Sequence, residues 1–328
     1  MRTIESFEDY TEPIHEVIHD TLLPTLFGQV HEPLPDKLRD FVSLTPTQGG
    51  LGIPVLREEA PQQHAASKLI TTPHVQSIIA QSTSLPESAE DLKKQQRSLK
   101  EAITRSKIEN IDAELPSDLL PHVTQARDKG ASSWLNALPL KDQGLVLNKQ
   151  EFRDSLRLRY NLPLVDLPSH CTCGSAFSVN HALSCKKGGF VAQRHDNLRD
   201  LFTTLLNKVC NNVQSEPHLI PLDNESFDLR STITSSDARL DIKAGGFWTR
   251  GVTAFFDVRV THVNSASNQN KSTATIFRDQ ENEKKRKYQQ RVLNVEMGTF
   301  TPLVFGTNGG MGLESQNFLK NLANRLSI

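Results

Sequence analysis

The sequence predicts an α+β protein: a helical N-terminal region, a small metal knuckle, then an α/β core. Three observations predict it. Apolar residues recur at helical spacing in a polar background through the first half of the chain. Three of the four cysteines crowd between Cys171 and Cys185 beside histidines. Beyond residue 196 the pattern reads helix, strand, strand, strand, helix, strand, helix.

Taken in order, residues 1–60 hold short apolar stretches broken by Pro24, Pro33, Pro35, Pro46 and Pro54. Thr47-Gln48-Gly49-Gly50-Leu51-Gly52-Ile53 reads as a glycine-rich turn leading into an extended segment. Residues 61–130 read as a helical spacer. Leu92, Leu99, Ile103, Ile108 and Ile111 give it a thin apolar face, and Pro116 and Pro121 break it. Residues 131–195 combine a small helical subdomain, carrying Trp134, Leu135, Phe152, Leu156 and Tyr160, with the knuckle. Residues 196–328 form the core domain.

Within that domain a helix is expected over 196–212, with Leu198, Leu201, Phe202, Leu205, Leu206 and Val209 at helical spacing. Asp196 can cap its start, and Cys210 reads as a core thiol. A strand follows over Val213–Leu222. Ala238, Leu240 and Ile242 alternate with Asp237, Arg239 and Asp241 in the next, and Ala254–Val260 is a buried strand carrying two charges. A helix over about 279–295, a strand over Phe300–Phe305, a Gly309-Gly310 turn and a last helix with Phe318, Leu319 and Leu322 complete the order.

Composition narrows the function classes. No run of about 18 apolar residues predicts a membrane span, and the N-terminus lacks a secretory pattern. Four cysteines in 328 residues make no disulfide scaffold. A reducing compartment is expected, nuclear and cytoplasmic. The net charge of −1 excludes a bulk positive field, so nucleic-acid binding would rest on local patches. Two exist: six Lys/Arg against one Glu over Lys93–Lys107, and six Lys/Arg against three acids over Arg278–Arg291. Each can equally be a solvated helix face.

His170-Cys171-Thr172-Cys173-Gly174 is followed by His181 and Cys185, giving C-x-C-x7-H-x3-C. Zinc takes four soft or borderline ligands in a tetrahedron, and two close pairs joined by a short loop supply them. His181 and Cys185 are i and i+4 and can face one ion. His170 is an alternative to Cys171, because a one-residue gap between thiolates is tight. Four protein ligands leave no open position, which makes the role structural. His195 is a weaker ligand candidate, read as structural or nucleic-acid-contacting.

A second constellation is acidic. Mg2+-dependent nucleases hold the metal with oxygen ligands near the scissile phosphate. Asp241 sits on one expected strand, and Asp257-Val258-Arg259 on the next. Asp257 and Arg259 share a face of that strand, and the bland alternative is an ion pair on a half-exposed surface. Glu216 is a candidate third acid, and Asp237 a second candidate on the face of Asp241. Lys284 and Tyr288, i and i+4 on the following helix, could meet the phosphate.

Together these features resemble the reverse-transcriptase proteins of non-long-terminal-repeat retrotransposons whose C-terminus carries a cysteine–histidine knuckle and a restriction-like endonuclease. The knuckle, Asp241, the strand Phe255–Val260, the Lys/Tyr helix and the strand Thr301–Phe305 occur in the family's order, over about residues 165–312. Leu22–Ile53 looks like the segment that follows a reverse-transcriptase thumb, placing a thumb-like segment in residues 1–60. No F/Y-x-D-D motif is present, so the polymerase itself is missing. The resemblance implies a restriction-endonuclease-like (PD-(D/E)xK) core. Its implied activity is Mg2+-dependent nicking of target DNA, exposing a 3′ hydroxyl for target-primed reverse transcription. Asp241, Asp257 and Glu216 would hold Mg2+, with Arg259, Lys284 and Tyr288 at the phosphate and structural Zn2+ in the knuckle. Arg259 stands where many members have lysine, and Leu240 where the PD pair has proline. DNA is the expected partner, with element RNA and the rest of a reverse transcriptase as further ones. The rival readings are a non-catalytic zinc-knuckle nucleic-acid-binding module and a domesticated interaction protein.

Overall fold

The computed structural model describes residues 7–28, 34, 36–82, 89–117, 119–188, 190–222 and 238–327. The chain divides into two compact units, Met1–Arg127 with Ser132–Leu164, and Asp128–Ala131 with Val165–Ile328.

The first unit is helical. Its helices are α1 (Glu8–Val17), α2 (Leu23–Phe27), α3 (Asp36–Ser43), α4 (Leu56–Ile79), α5 (Ala89–Glu114), α6 (Leu120–Ala126) and α7 (Lys149–Arg159). One core draws Leu23, Phe27, Phe41 and Val42 together with Ile111, Val123, Leu156 and Tyr160. The segments 1–60, 61–130 and the start of 131–195 are therefore not separate compact bodies. The expected spacer contributes Ile111, Leu115 and Val123 to the shared core. Pro61 and Pro73 lie inside α4 without ending it. The glycine turn forms as expected. Gly49 adopts a positive φ of 97°, and Arg159 and Tyr160 both donate to its carbonyl, at 2.9 and 3.0 Å.

The second unit begins with α8 (Val179–Ser184) and α9 (Phe190–Asn207). It continues through β1 (Asn211–Ser215), β2 (Ile242–Gly245), β3 (Thr253–Thr261), α10 (Thr273–Asn294), β4 (Thr299–Gly306) and α11 (Leu313–Leu326). The sheet order is β1-β2-β3-β4. The first three strands are antiparallel neighbours, and β4 runs parallel to β3 after the α10 crossover. This is a mixed α+β fold with the expected element order.

Period-two alternation gives β3 two faces. Ala254, Phe256 and Val258 pack with Phe202 and Leu206 of α9 and Phe318 and Leu322 of α11. Phe255 faces Tyr288 and Val292 of α10. On α10 the positions Phe277, Glu281, Lys284, Tyr288 and Val292 follow helical spacing along one stripe, so polar groups interrupt an apolar seam.

Several boundaries differ from expectation. Helix α9 starts at Phe190, so Asp196 lies inside it rather than capping it. Helix α10 starts at Thr273, because Ser272 accepts the Thr275 N–H as its N-cap. The strand expected over Val213–Leu222 stops at Ser215, where Glu216 takes a positive φ of 49° ahead of Pro217. Pairing resumes beyond it as a bridge between His218 and Arg239. Among the described residues no helix is long and apolar enough to cross a membrane.

Candidate metal knuckle and carboxylate site

Both constellations lie in the second unit. In the knuckle, a tight turn brings the first two thiols together. Cys171 N–H donates to Ser175 O at 2.9 Å, Gly174 N–H donates to Cys171 O at 2.8 Å, and Gly174 takes a φ of 88°. Ser178 caps α8 by accepting the His181 N–H at 3.0 Å, which orients His181 and the following Cys185 toward the turn. The ligand atoms of Cys171, Cys173, His181 and Cys185 all lie within 4.8 Å of one another, close enough to bind one metal ion. Cys171 Sγ and Cys185 Sγ are 3.7 Å apart, and Cys173 Sγ and His181 Nε2 are 3.2 Å apart. Zinc–sulfur bonds of about 2.3 Å in a tetrahedron place sulfurs roughly 3.8 Å apart, so the donor set fits that ion. The open choice between His170 and Cys171 falls to Cys171. His170 Nδ1 instead faces Ser169 Oγ at 3.0 Å. Hydrogen bonds from Ser175 push the Cys173 thiol down to about 6, which favours the thiolate that a metal requires.

The acids form a row at one end of the sheet. Ser215 pairs with Ile242, and Ile242 with Phe256. Just beyond these pairs, Glu216, Asp241 and Asp257 lie at the same end of the sheet on three neighbouring segments. Glu216 N–H donates to Asp241 O at 2.8 Å, and Asp241 N–H to Phe256 O at 3.2 Å.

Their carboxylates have different partners. Asp241 Oδ2 accepts the Val258 N–H at 2.6 Å and faces His195 Nε2 at 3.1 Å. Asp257 is buried, at 5% exposure, and its Oδ2 lies 2.6 Å from Lys284 Nζ in a charge contact. Glu216 is turned to cations, with Arg199 at 2.9 Å and Arg239 at 3.7 Å. Arg259, two residues beyond Asp257, pairs with Glu283 of α10 at 3.0 Å. Tyr288 packs its ring on Phe300 with centroids 5.7 Å apart. Asp237 lies outside the described residues.

Burial sets the electrostatics. Desolvation raises the Asp257 carboxyl, and the Lys284 ammonium opposes this. On Lys284 burial works downward, yet the adjacent carboxylate outweighs it and the ammonium is raised. The pair is best described as ammonium against carboxylate, because the 2.6 Å contact stabilises both charges together. Tyr288 is pushed up to about 12 by burial and stays a neutral phenol. His195 is raised to about 9 by its hydrogen bond to Asp241, against desolvation, and is an imidazolium at neutral pH.

The structure thus brings Asp241, Asp257, Lys284 and Tyr288 into one electrostatic group. It adds His195, whose contact with Asp241 crosses 46 residues of sequence. The one local signal for it is the Arg194-His195-Asp196 run at the start of a helix that leads into the acid-bearing strands. Glu216 and Arg259 sit beside this group, each held by an ion pair of its own. The basic stretches are exposed helix surfaces. Lys93, Lys94, Arg97 and Lys100 lie open on α5, and Arg278, Arg286 and Lys287 on α10. No protein-family model matches this chain, and a comparison with curated proteins returns no match.

Proposed function

We propose that the second unit is a restriction-endonuclease-like domain that nicks DNA, supported by a structural zinc knuckle and derived from a non-long-terminal-repeat retroelement. The observation that carries this reading is the contact of the buried Asp257 with Lys284 beside Asp241, where strand β3 meets α10. Burying two charges costs several kcal/mol per ion in desolvation, and apolar residues of similar volume would often serve the fold as well. Charges kept in such a place point to chemistry. The α-β-β-β-α-β-α order and the mixed sheet agree with that core.

The donor chemistry fits a hard cation. Two carboxylates come from neighbouring strands, and among the described residues Asp241 Oδ1 has no donor on it. Asp241 and Asp257 would hold Mg2+, which supplies charge neutralisation at the phosphate and a water acidified for attack. The chain's own groups do the rest. Lys284, now against Asp257, would turn to a phosphate oxygen, and the neutral Tyr288 hydroxyl is a donor at the same place. On leaving Glu283, Arg259 would meet the DNA backbone. Glu216 is left out of the metal set, because Arg199 and Arg239 already neutralise it. The exposed basic face of α10 would follow the DNA backbone. In this reading the nick exposes a 3′ hydroxyl for target-primed reverse transcription. The partners are target DNA, element RNA and a reverse-transcriptase polymerase, and the places are nucleus and cytoplasm.

The test is supercoiled plasmid incubated with the zinc-loaded protein and Mg2+. Open-circular product is expected, and EDTA or Asp241→Ala should stop it. A second reading, a non-catalytic zinc-knuckle nucleic-acid-binding module, is favoured by one observation: Lys284, Arg259 and Glu216 all have intramolecular partners. DNA binding with no nicking under any divalent ion would select it.

A further inference from the structure

We infer that His195 is a positioning residue that locks the Asp241 carboxylate with one oxygen committed and the other left for a divalent cation. This rests on the reading of Asp241 and Asp257 as a cation site. A carboxylate on a strand turns about a broad, two-fold torsion, so a single donor does not fix which oxygen faces outward. Here two donors fall on the same atom. Oδ2 takes the Val258 backbone N–H at 2.6 Å and lies 3.1 Å from His195 Nε2. Among the described residues Oδ1 takes none.

The imidazole is itself held. Its Nδ1 faces Asp196 Oδ1 at 3.2 Å, so each ring nitrogen meets a carboxylate oxygen and the ring plane is set. The helix that carries it is tied at both sides of the contact. Arg194 Nη2 donates to Leu183 O of α8 at 2.8 Å, and Arg199 Nη1 to Glu216 Oε1 at 2.9 Å. Glu216 in turn donates its N–H to the Asp241 carbonyl at 2.8 Å. Helix α9 therefore references both the side chain and the backbone of Asp241. Groups that orient a metal ligand in this way are worth about 10–100-fold in metal affinity or activity.

The test is Mn2+ binding to the full chain with zinc in the knuckle, followed by electron paramagnetic resonance. Asp241→Ala and Asp257→Ala define the site by abolishing the binding. His195→Ala should raise the Mn2+ Kd by about 10–100-fold. His195→Gln, whose amide nitrogen can donate to Oδ2, should recover most of that loss. His195→Phe keeps the ring's volume without a donor and must lose what alanine loses, which separates positioning from packing should alanine fail to fold. In nicking, kcat should fall for His195→Ala while KM for DNA stays. Wild-type Mn2+ affinity in the alanine and phenylalanine variants overturns the positioning role and leaves the cation site standing. The absence of any Asp241-dependent Mn2+ binding in the wild type overturns both.

Discussion

The knuckle and the carboxylate site belong to the same unit and hold their donors in opposite ways. The knuckle draws four donors from fifteen consecutive positions, Cys171 to Cys185. Apart from Cys185, residues 165–188 are exposed or half-buried, so an apolar core contributes little there. The carboxylate site takes Asp241, Asp257, Lys284 and His195 from four separate elements. Its frame is a sheet whose Ile242, Ala244, Ala254 and Phe256 are completely buried. One arrangement is local in sequence; the other is imposed by the packing of distant elements. The two arrangements should fail differently when a side chain is removed.

The largest difference should appear when the knuckle loses a donor. Cys173→Ser or His181→Ala should reduce bound zinc from about one equivalent to near zero. Structural zinc contributes about 10–16 kcal/mol of apparent binding energy in small finger peptides. Residues 165–188 should then exchange amide hydrogens freely while β2 and β3 remain protected. Full zinc loading in both variants would end the assignment.

A smaller effect is expected where the frame holds the charges. Asp257→Ala leaves the Lys284 ammonium buried without its partner and should destabilise the second unit by about 3–5 kcal/mol in denaturant unfolding. Replacing both, Asp257→Leu with Lys284→Met, should recover most of that stability while nicking stays absent. If the double variant is as unstable as the single one, the pair serves the fold.

Smaller again is the pH response of His195. Its folded value of about 9 lies above the ordinary 6.5, chiefly through Asp241, with Asp196 also raising it. A raised histidine stabilises fully below pH 6.5, and that contribution disappears as pH rises through about 9. Without added Mg2+, the second unit should lose on the order of 2 kcal/mol between those limits, allowing for partial exposure. The same loss should be missing in His195→Ala, and an unchanged pH profile in that variant would contradict the assigned charge.

The smallest effect belongs to Arg259. Its partner Glu283 is more than half exposed, and exposed pairs are worth about 0–1 kcal/mol. Arg259→Lys should leave stability within that range and retain or raise nicking, because an amine serves as a point charge there. A loss of nicking in the lysine variant would mark the planar guanidinium itself as required.

The same contrast decided what was legible in the sequence. The knuckle could be read because its donors are local and cysteine is scarce. The order of elements after residue 196 could be read because Phe255–Val260 and the Leu198–Val209 run carry strong periodicities. Local chemistry was misjudged where backbone and context override pattern. Glu216 interrupts its strand through a positive φ, and the Ser272 cap starts α10 at Thr273, six residues ahead of the expected Asp279. The core of the 61–130 segment is not legible locally, because Ile111 and Val123 find their partners more than 60 residues upstream, in Phe41 and its neighbours. The role of His195 was hidden for the same reason: a contact with Asp241 is made by the fold, and no spacing rule announces it.

The most direct measurement is the single-turnover nicking rate of an end-labelled DNA duplex by zinc-loaded wild type and Asp257→Asn. The expected result is a Mg2+-dependent nick leaving a 3′ hydroxyl, absent in EDTA, and slowed roughly a hundredfold or more by the amide, which removes the charge proposed to hold Mg2+. DNA binding should persist in the variant. No nicking by the wild type at any Mg2+ concentration, or an equal rate in Asp257→Asn, would contradict it.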